Sequence, residues 1–114
     1  MNDCLFCKII NKEIPADIVF ESESVIAFND INPQAPIHIL VIPKIHLSSI
    51  TKVKKEHSEI ISEIISCINL LTGRLGIDAS GFRIVVNHGA DAGQAVPHLH
   101  FHILGGRSFH WPPG

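Results

Sequence analysis

The residues best suited to chemistry lie in one short run, His98-Leu99-His100-Phe101-His102, where three imidazoles occupy alternate positions. Apolar residues fill the gaps through Ile103, which is the period of a half-buried strand whose positions two apart share a face. His98, His100 and His102 are therefore expected along one side of a strand, with Leu99, Phe101 and Ile103 entering the core. Neutral imidazole is the commonest metal ligand. At ~3.3 Å of rise per residue, however, the outer two Cα atoms lie about 13 Å apart, so two neighbours can share an ion while convergence of all three is strained. Phosphoryl or nucleotidyl transfer uses the whole row: one imidazole attacks phosphorus, and its neighbours orient it, bind anionic oxygens or move protons. The plain alternative is a strand with solvated histidines, against which stands the enrichment of histidine at catalytic and metal sites.

Other residues extend this chemistry. The chain has 3 cysteines, an odd number, and two form Cys4-x-x-Cys7, a spacing that points to metal or redox chemistry before a structural disulfide. Cys67 falls in a helical pattern and receives no role. His38 is the one strongly polar side chain in Ile37–Pro43; such a residue needs a partner, either as a satisfied core histidine or as part of a site beside the three imidazoles. Asp30 sits in a loop, 29–36, rich in turn formers and prolines. Gly93 lies in a turn, 88–93, that lets backbone approach a ligand and whose N–H groups can cradle a phosphate.

The elements that must position these groups follow from local pattern. Leu5 to Asn11 suits one or two helical turns, ended by Pro15. Ile18–Phe20 and Ser24–Phe28 read as a short hairpin, and Ile37–Pro43 as a β-branched strand. From about Lys55 to Leu75, Ile60, Ile61, Ile64, Ile65, Ile68, Leu71 and Leu75 recur at helical spacing. That predicts one long amphipathic helix, with Gly76 as its stop. Gly81–Asn87 reads as a strand; a hairpin joining it to the imidazole strand would bring Asn87 and the Gly93 turn beside the histidines. The ending, Phe109-His110-Trp111-Pro112-Pro113-Gly114, is too short to fold alone, so its aromatics must pack on this chain or on a partner.

Composition bounds the rest. A chain of 114 residues, 46% hydrophobic and 18% charged, fits one globular domain spanning 1–114. A net charge of −2 gives no basic field for a nucleic acid. No stretch approaches the ~20 apolar residues of a bilayer span, so no membrane association is expected. The Met1-Asn2-Asp3 start lacks the basic and apolar regions of a signal peptide, which reads as a cytoplasmic protein.

His98-Leu99-His100-Phe101-His102-Ile103-Leu104 fits the His-x-His-x-His-x-x pattern, and the chain resembles the histidine triad superfamily over nearly its whole length. The likeness includes Phe28-Asn29-Asp30-Ile31, Pro33-Gln34-Ala35-Pro36, Leu40-Val41-Ile42-Pro43-Lys44, Val85-Val86-Asn87 and Gly105-Gly106-Arg107. The ending His110-Trp111-Pro112-Pro113-Gly114 is similar to that of its nucleotide-binding, or Hint, branch. The resemblance implies an α+β fold whose antiparallel sheet, with one long helix and a short N-terminal helix, continues across a two-fold axis in a homodimer. It implies hydrolysis of purine nucleoside phosphoramidates and acyl-adenylates, with release of AMP and no organic cofactor. By position His100 would be the nucleophile and His102 a phosphate contact, with His98 and His38 supporting the nucleophile. Asp30 would hold the ribose, and Phe6, Ile9, Phe28 and Ile31 would flank the base. Asn87, Gly93 and backbone near Ala95 would face the phosphate or leaving group, Ala95 replacing the usual serine and its hydroxyl. Several bacterial members of the superfamily imply a structural zinc on Cys4, Cys7, His46 and His98, an S₂N₂ ligand set that suits a closed zinc site, the plain alternative being two small buried thiols. Two other functions remain open: dinucleoside polyphosphate hydrolysis, which the Trp-Pro-Pro-Gly ending disfavours, and a non-catalytic purine-nucleotide-binding adaptor, for which Ala95 leaves room.

Overall fold

Short β-branched and aromatic runs separated by tight turns build an antiparallel sheet, which a computed structural model describes for residues 3–114. Met1 and Asn2, on which the signal-peptide reading partly rests, lie outside the described residues. A six-residue helix α1 (Leu5–Ile10) precedes strands β1 (Ile18–Glu21), β2 (Val25–Asn29) and β3 (Ile37–Pro43). Helices α2 (Ser58–Arg74) and α3 (Ile77–Ser80) lead to β4 (Phe82–Val85) and β5 (Phe101–Gly105). The strands lie in the order β1-β2-β3-β5-β4, every neighbouring pair antiparallel, giving an α+β fold.

Strand parity sorts the side chains into two layers. On one face Val25, Ala27, Ile39, Val41, Leu99, Phe101 and Ile103 meet Ile64, Cys67, Ile68 and Leu71 of α2. Each such aliphatic side chain contributes about 1.5–3 kcal/mol on burial, so this face holds the main core. Burial pushes the Cys67 thiol up to about 12, consistent with a packing role. On the other face Ile26, Phe28, Leu40 and Ile42 meet Cys4, Phe6, Cys7 and Ile9 of the α1 segment. The register pairs Leu40 with His102 and His38 with Leu104, so parity puts His38 and His102 on this second, α1-covered face.

Three expectations shift. The helix begins at Ser58 rather than Lys55, because Lys55–His57 is a 3₁₀ turn in which His57 Nδ1 accepts the Lys54 N–H at 2.9 Å. It ends at Arg74, with Gly76 beyond it at φ +73°, the left-handed conformation that glycine adopts freely. β5 begins at Phe101, so His98 and His100 precede the strand; the Leu99 N–H donates to Leu47 O at 2.6 Å instead of to a sheet neighbour. The strand expected over Gly81–Asn87 is regular only over Phe82–Val85. At the C-terminal end Phe109 lies under the guanidinium groups of Arg83 and Arg107, while Trp111 is 83% exposed. Among the described residues no helix is long and apolar enough to cross a membrane.

Candidate functional site

The α1-covered face carries two adjoining polar clusters in otherwise apolar surroundings. Most of their histidines are shielded from solvent: His98 is fully buried, His38 and His100 are buried and His102 is half-buried, while His46 is exposed.

In the first cluster the protons can be assigned from partners that have only one role. The His100 Nδ1–H donates to the backbone carbonyl of His98 at 2.6 Å, and a carbonyl can only accept. The Nε2 of a neutral His100 therefore carries the lone pair. The Gln34 N–H donates to His38 Nδ1 at 3.0 Å, so a neutral His38 is protonated at Nε2. That Nε2–H in turn donates to His102 Nδ1 at 2.8 Å. His102 then has its proton on Nε2, a buried atom with no hydrogen-bond partner among the described residues. Adjacent rings, 5.0 Å apart at their centroids, thus present opposite faces to a ligand: an unshared pair on His100 and an unused donor on His102.

Electrostatics agrees with neutral rings at His102 and His38. Burial, then the neighbouring His100 and His38, lowers His102 to about 4, with Asp30 opposing. Burial likewise lowers His38 against the pull of Asp30. The Asp30 carboxylate stands 3.4 Å from His38 Nε2 and accepts the Asn32 N–H at 2.8 Å. Asp30 is thereby fixed at the rim.

His100 and His102 line a cavity of about 290 Å³ whose other walls include Phe6, Ile9, Phe28, Asp30, Ile31 and Ala95. Ile31, 98% exposed, forms the lip. Phe6 packs edge-on against Phe28 and His100, with centroids 5.5 and 5.1 Å apart. Leu5, Ile14, Pro15, Ala16, Leu40 and Val96 complete the apolar lining, and the sequence does not single them out, since nothing distinguishes a cavity wall from core in an apolar pattern. Of the expected contacts, Asn87 lies half-buried beyond β4, and Gly93 occupies the exposed turn at φ +78°; neither lines the cavity. His38 and His98 stand behind the wall, acting through His102 and His100.

The second cluster joins Cys4, Cys7, His46 and His98, whose ligand atoms all lie within 4.8 Å of one another. The fully buried His98 donates its Nε2–H to Pro43 O at 2.9 Å, leaving the Nδ1 lone pair aimed at the cysteines and His46. That atom is 3.3 Å from Cys4 Sγ, 3.6 Å from Cys7 Sγ and 3.2 Å from His46 Nδ1. Cys7 Sγ is 3.3 Å from His46 Nδ1. Tetrahedral bonds of about 2.3 Å to sulfur and 2.0 Å to nitrogen separate ligand atoms by about 3.3–3.8 Å, so the four groups fit a zinc-sized ion. The Pro43 carbonyl is the outer partner that such a histidine ligand ordinarily has. α1 supplies the cysteines because Cys4 caps the helix, accepting the Cys7 N–H on its sulfur.

Comparison with known proteins adds a lineage. Residues 11–109 match the family described as HIT domain. The 14 kDa zinc-binding protein of Brassica juncea is 45% identical over 114 residues, covering 98% of this chain and 100% of that protein. Among solved structures, a HIT family hydrolase from Legionella pneumophila Philadelphia 1 superposes with a TM-score of 0.96 at 46% identity, covering 98% of this chain and 100% of the other. A histidine triad nucleotide-binding protein from Candida albicans does so with a TM-score of 0.83 at 32% identity, over 98% and 85% of the two chains.

Proposed function

Because the chain belongs to the HIT domain family, we propose that it is a Hint-type hydrolase of purine nucleoside phosphoramidates and acyl-adenylates that releases AMP. The observation that carries this reading is the pair of opposite tautomers at the cavity: a lone pair on His100 beside an unpartnered Nε2–H on His102. Nucleophile and anion donor are preset there before substrate arrives.

In the first step His100 Nε2 attacks the α-phosphorus, forming a P–N bond as the bond from phosphorus to the leaving amine or acyl oxygen breaks. The positive charge that grows on the imidazole is shared through Nδ1–H with the His98 carbonyl. His102 Nε2–H donates to a phosphoryl oxygen as negative charge develops, and His38 keeps that proton in place. A leaving amine takes its proton from solvent, because Ala95 at the exposed rim has no hydroxyl to give. Water then attacks phosphorus, the P–Nε2 bond breaks, the His100 lone pair returns and a proton passes to solvent. Asp30 at the rim holds the ribose hydroxyls, and Phe6, Ile9, Phe28 and Ile31 enclose the base. Asn87 and Gly93 serve the leaving-group side from outside the lining.

Cys4, Cys7, His46 and His98 would hold a structural zinc, which when bound supplies a cross-link between the α1 segment and the nucleophile's segment. The homodimer is part of the same reading. β1 and β4 are the sheet edges; β1 is irregular between Ile18 and Phe20 and carries Glu21 paired with Lys12 and Lys44. Those features block pairing, which leaves β4 as the edge to continue the sheet. Cytoplasmic residence is part of the same proposal.

The test is steady-state AMP release from adenosine 5′-phosphoramidate by wild type and by folded His100→Ala. Wild-type turnover with a loss of at least about 1,000-fold in the variant supports the reading. AMP binding without turnover in either protein overturns it in favour of an adaptor.

A further inference from the structure

His98 belongs to both clusters. Its side chain faces the cysteines and His46, while its main-chain carbonyl holds the proton of the nucleophile at 2.6 Å. A second link runs through α1. Phe6 lies between the two cysteines in sequence, packs edge-on against His98 and His100 at centroid distances of 5.9 and 5.1 Å, and forms cavity wall. A third runs through the loop after β3. His46 meets His98 side chain to side chain, and the next residue, Leu47, accepts the Leu99 N–H. The four groups thus bind together three segments that the regular ladder of the sheet does not hold: α1, residues 44–47, and residues 98–100. α1 supplies the wall beside the nucleophile, and residues 44–47 reach the nucleophile's segment through His98 and Leu99.

We infer that the Cys4/Cys7/His46/His98 tetrad is an effector site energetically coupled to the nucleotide cavity, so that metal and purine nucleotide each tighten the binding of the other. The coupling runs through the His98 carbonyl and through Phe6. When an ion engages His98 Nδ1 and the two thiolates, residues 98–100 are fixed and the wall carrying Phe6 and Ile9 is in place before the nucleotide arrives. Without it, the nucleotide must supply the ordering itself and binds more weakly. Coupling of this kind is reciprocal by thermodynamic necessity and typically amounts to about 5–150-fold. A cross-link that merely stiffens the fold would raise thermal stability and leave nucleotide affinity unchanged.

This inference rests on the cavity being the nucleotide site, and the experiment separates the two. Zinc affinity is measured by competition with a chromophoric chelator, with and without saturating AMP, after correction for zinc held by AMP alone. AMP affinity is measured by calorimetry on zinc-loaded and chelator-stripped protein. The expected result is at least about fivefold tighter zinc with AMP present, matched by an equal loss of AMP affinity in the stripped protein. If stripping unfolds the chain, cobalt(II) in the tetrad gives a readout on folded protein: its visible ligand-field spectrum shifts when AMP binds. AMP that binds the loaded protein while leaving zinc affinity and the cobalt spectrum unchanged overturns the coupling and spares the nucleotide site. Failure of AMP to bind the loaded protein overturns both.

Discussion

Acid should unfold this protein through its imidazoles as well as its carboxylates, and His102 carries a definable share. Burial, then the neighbouring His100 and His38, holds His102 at about 4 in the fold, against an ordinary value of 6.5. Between those values the unfolded chain takes up a proton that the folded chain refuses. Stability contributed by this ring is therefore full above its unfolded value and is lost as pH falls from about 6.5 toward 4. At about 1.4 kcal/mol per unit, the loss amounts to about 2 kcal/mol between pH 7 and pH 5, and about 3 kcal/mol by pH 4. The ring is half-buried and faces the cavity, so solvent screening makes these upper values. The assay is urea unfolding of wild type and His102→Gln across pH 7 to pH 4.5. Both proteins keep the tetrad, so acid release of any metal cancels in the comparison. The stability gap between them should narrow by about 2 kcal/mol on going from pH 7 to pH 5. Parallel profiles would refute the neutral, solvent-shielded ring from which the phosphate contact is derived.

Removing the second imidazole of the relay, His38→Ala, deprives His102 Nδ1 of its donor; kcat for phosphoramidate should fall about 10–100-fold with a smaller change in KM, as for lost transition-state contacts, and an unchanged kcat would sink the relay. Ile64→Ala, at a fully buried position in the α2 core, should cost about 2–5 kcal/mol in urea unfolding while kcat stays within twofold, since it packs on the other face of the sheet and lines neither the cavity nor the tetrad. Protein purified without added metal should contain about one zinc per chain, and Cys4→Ser should lower both metal content and Tm; no metal, with Tm unchanged, would remove the zinc assignment. Light scattering at micromolar concentration should give the mass of two chains, and the mass of one would remove the β4-edge dimer.

What the sequence made legible is what local rules govern. Alternation from His98 to Ile103 correctly sorted Leu99, Phe101 and Ile103 into the α2 core, because parity depends only on neighbouring residues. Where β5 begins was not legible, because it depends on the Leu99 N–H finding Leu47 across the fold. The same limit hid the groups that decide the chemistry. The carbonyls of His98 and Pro43 and the N–H of Gln34 fix three tautomers, yet every residue has a carbonyl and nearly every one an N–H, so these roles leave no trace in residue type. The spacing of Cys4-x-x-Cys7 pointed to metal or redox chemistry and so marked half of the Cys/His cluster. His46 and His98 joined it by resemblance, and only geometry brings their nitrogens to 3.2 Å. The predicted hairpin of β4 and β5 exists, with Val85 opposite His102, but a hairpin's register does not fix where its connecting turn lies, and Asn87 and Gly93 stand outside the cavity lining.

The two faces of the sheet are unequal in what they can hold unaided. α2 spans 17 residues and covers its face with an apolar stripe that needs no further fastening. α1 has six residues, and helices of that length are marginal on their own. It nevertheless must cover three buried histidines and form the wall of a cavity. Its apolar contacts are to Ile26, Phe28, Leu40 and Ile42, and the rest of the space beneath it is taken by the polar clusters and the cavity. The cysteines at its first turn and the edge-on packing of Phe6 compensate for that thin cover. A site that must stay open to ligand cannot be closed by core packing, so the fold closes it with a few directional contacts instead. This places the tetrad against the segment that carries His100 rather than in the α2 core, which is the arrangement the proposed coupling of cavity and tetrad requires.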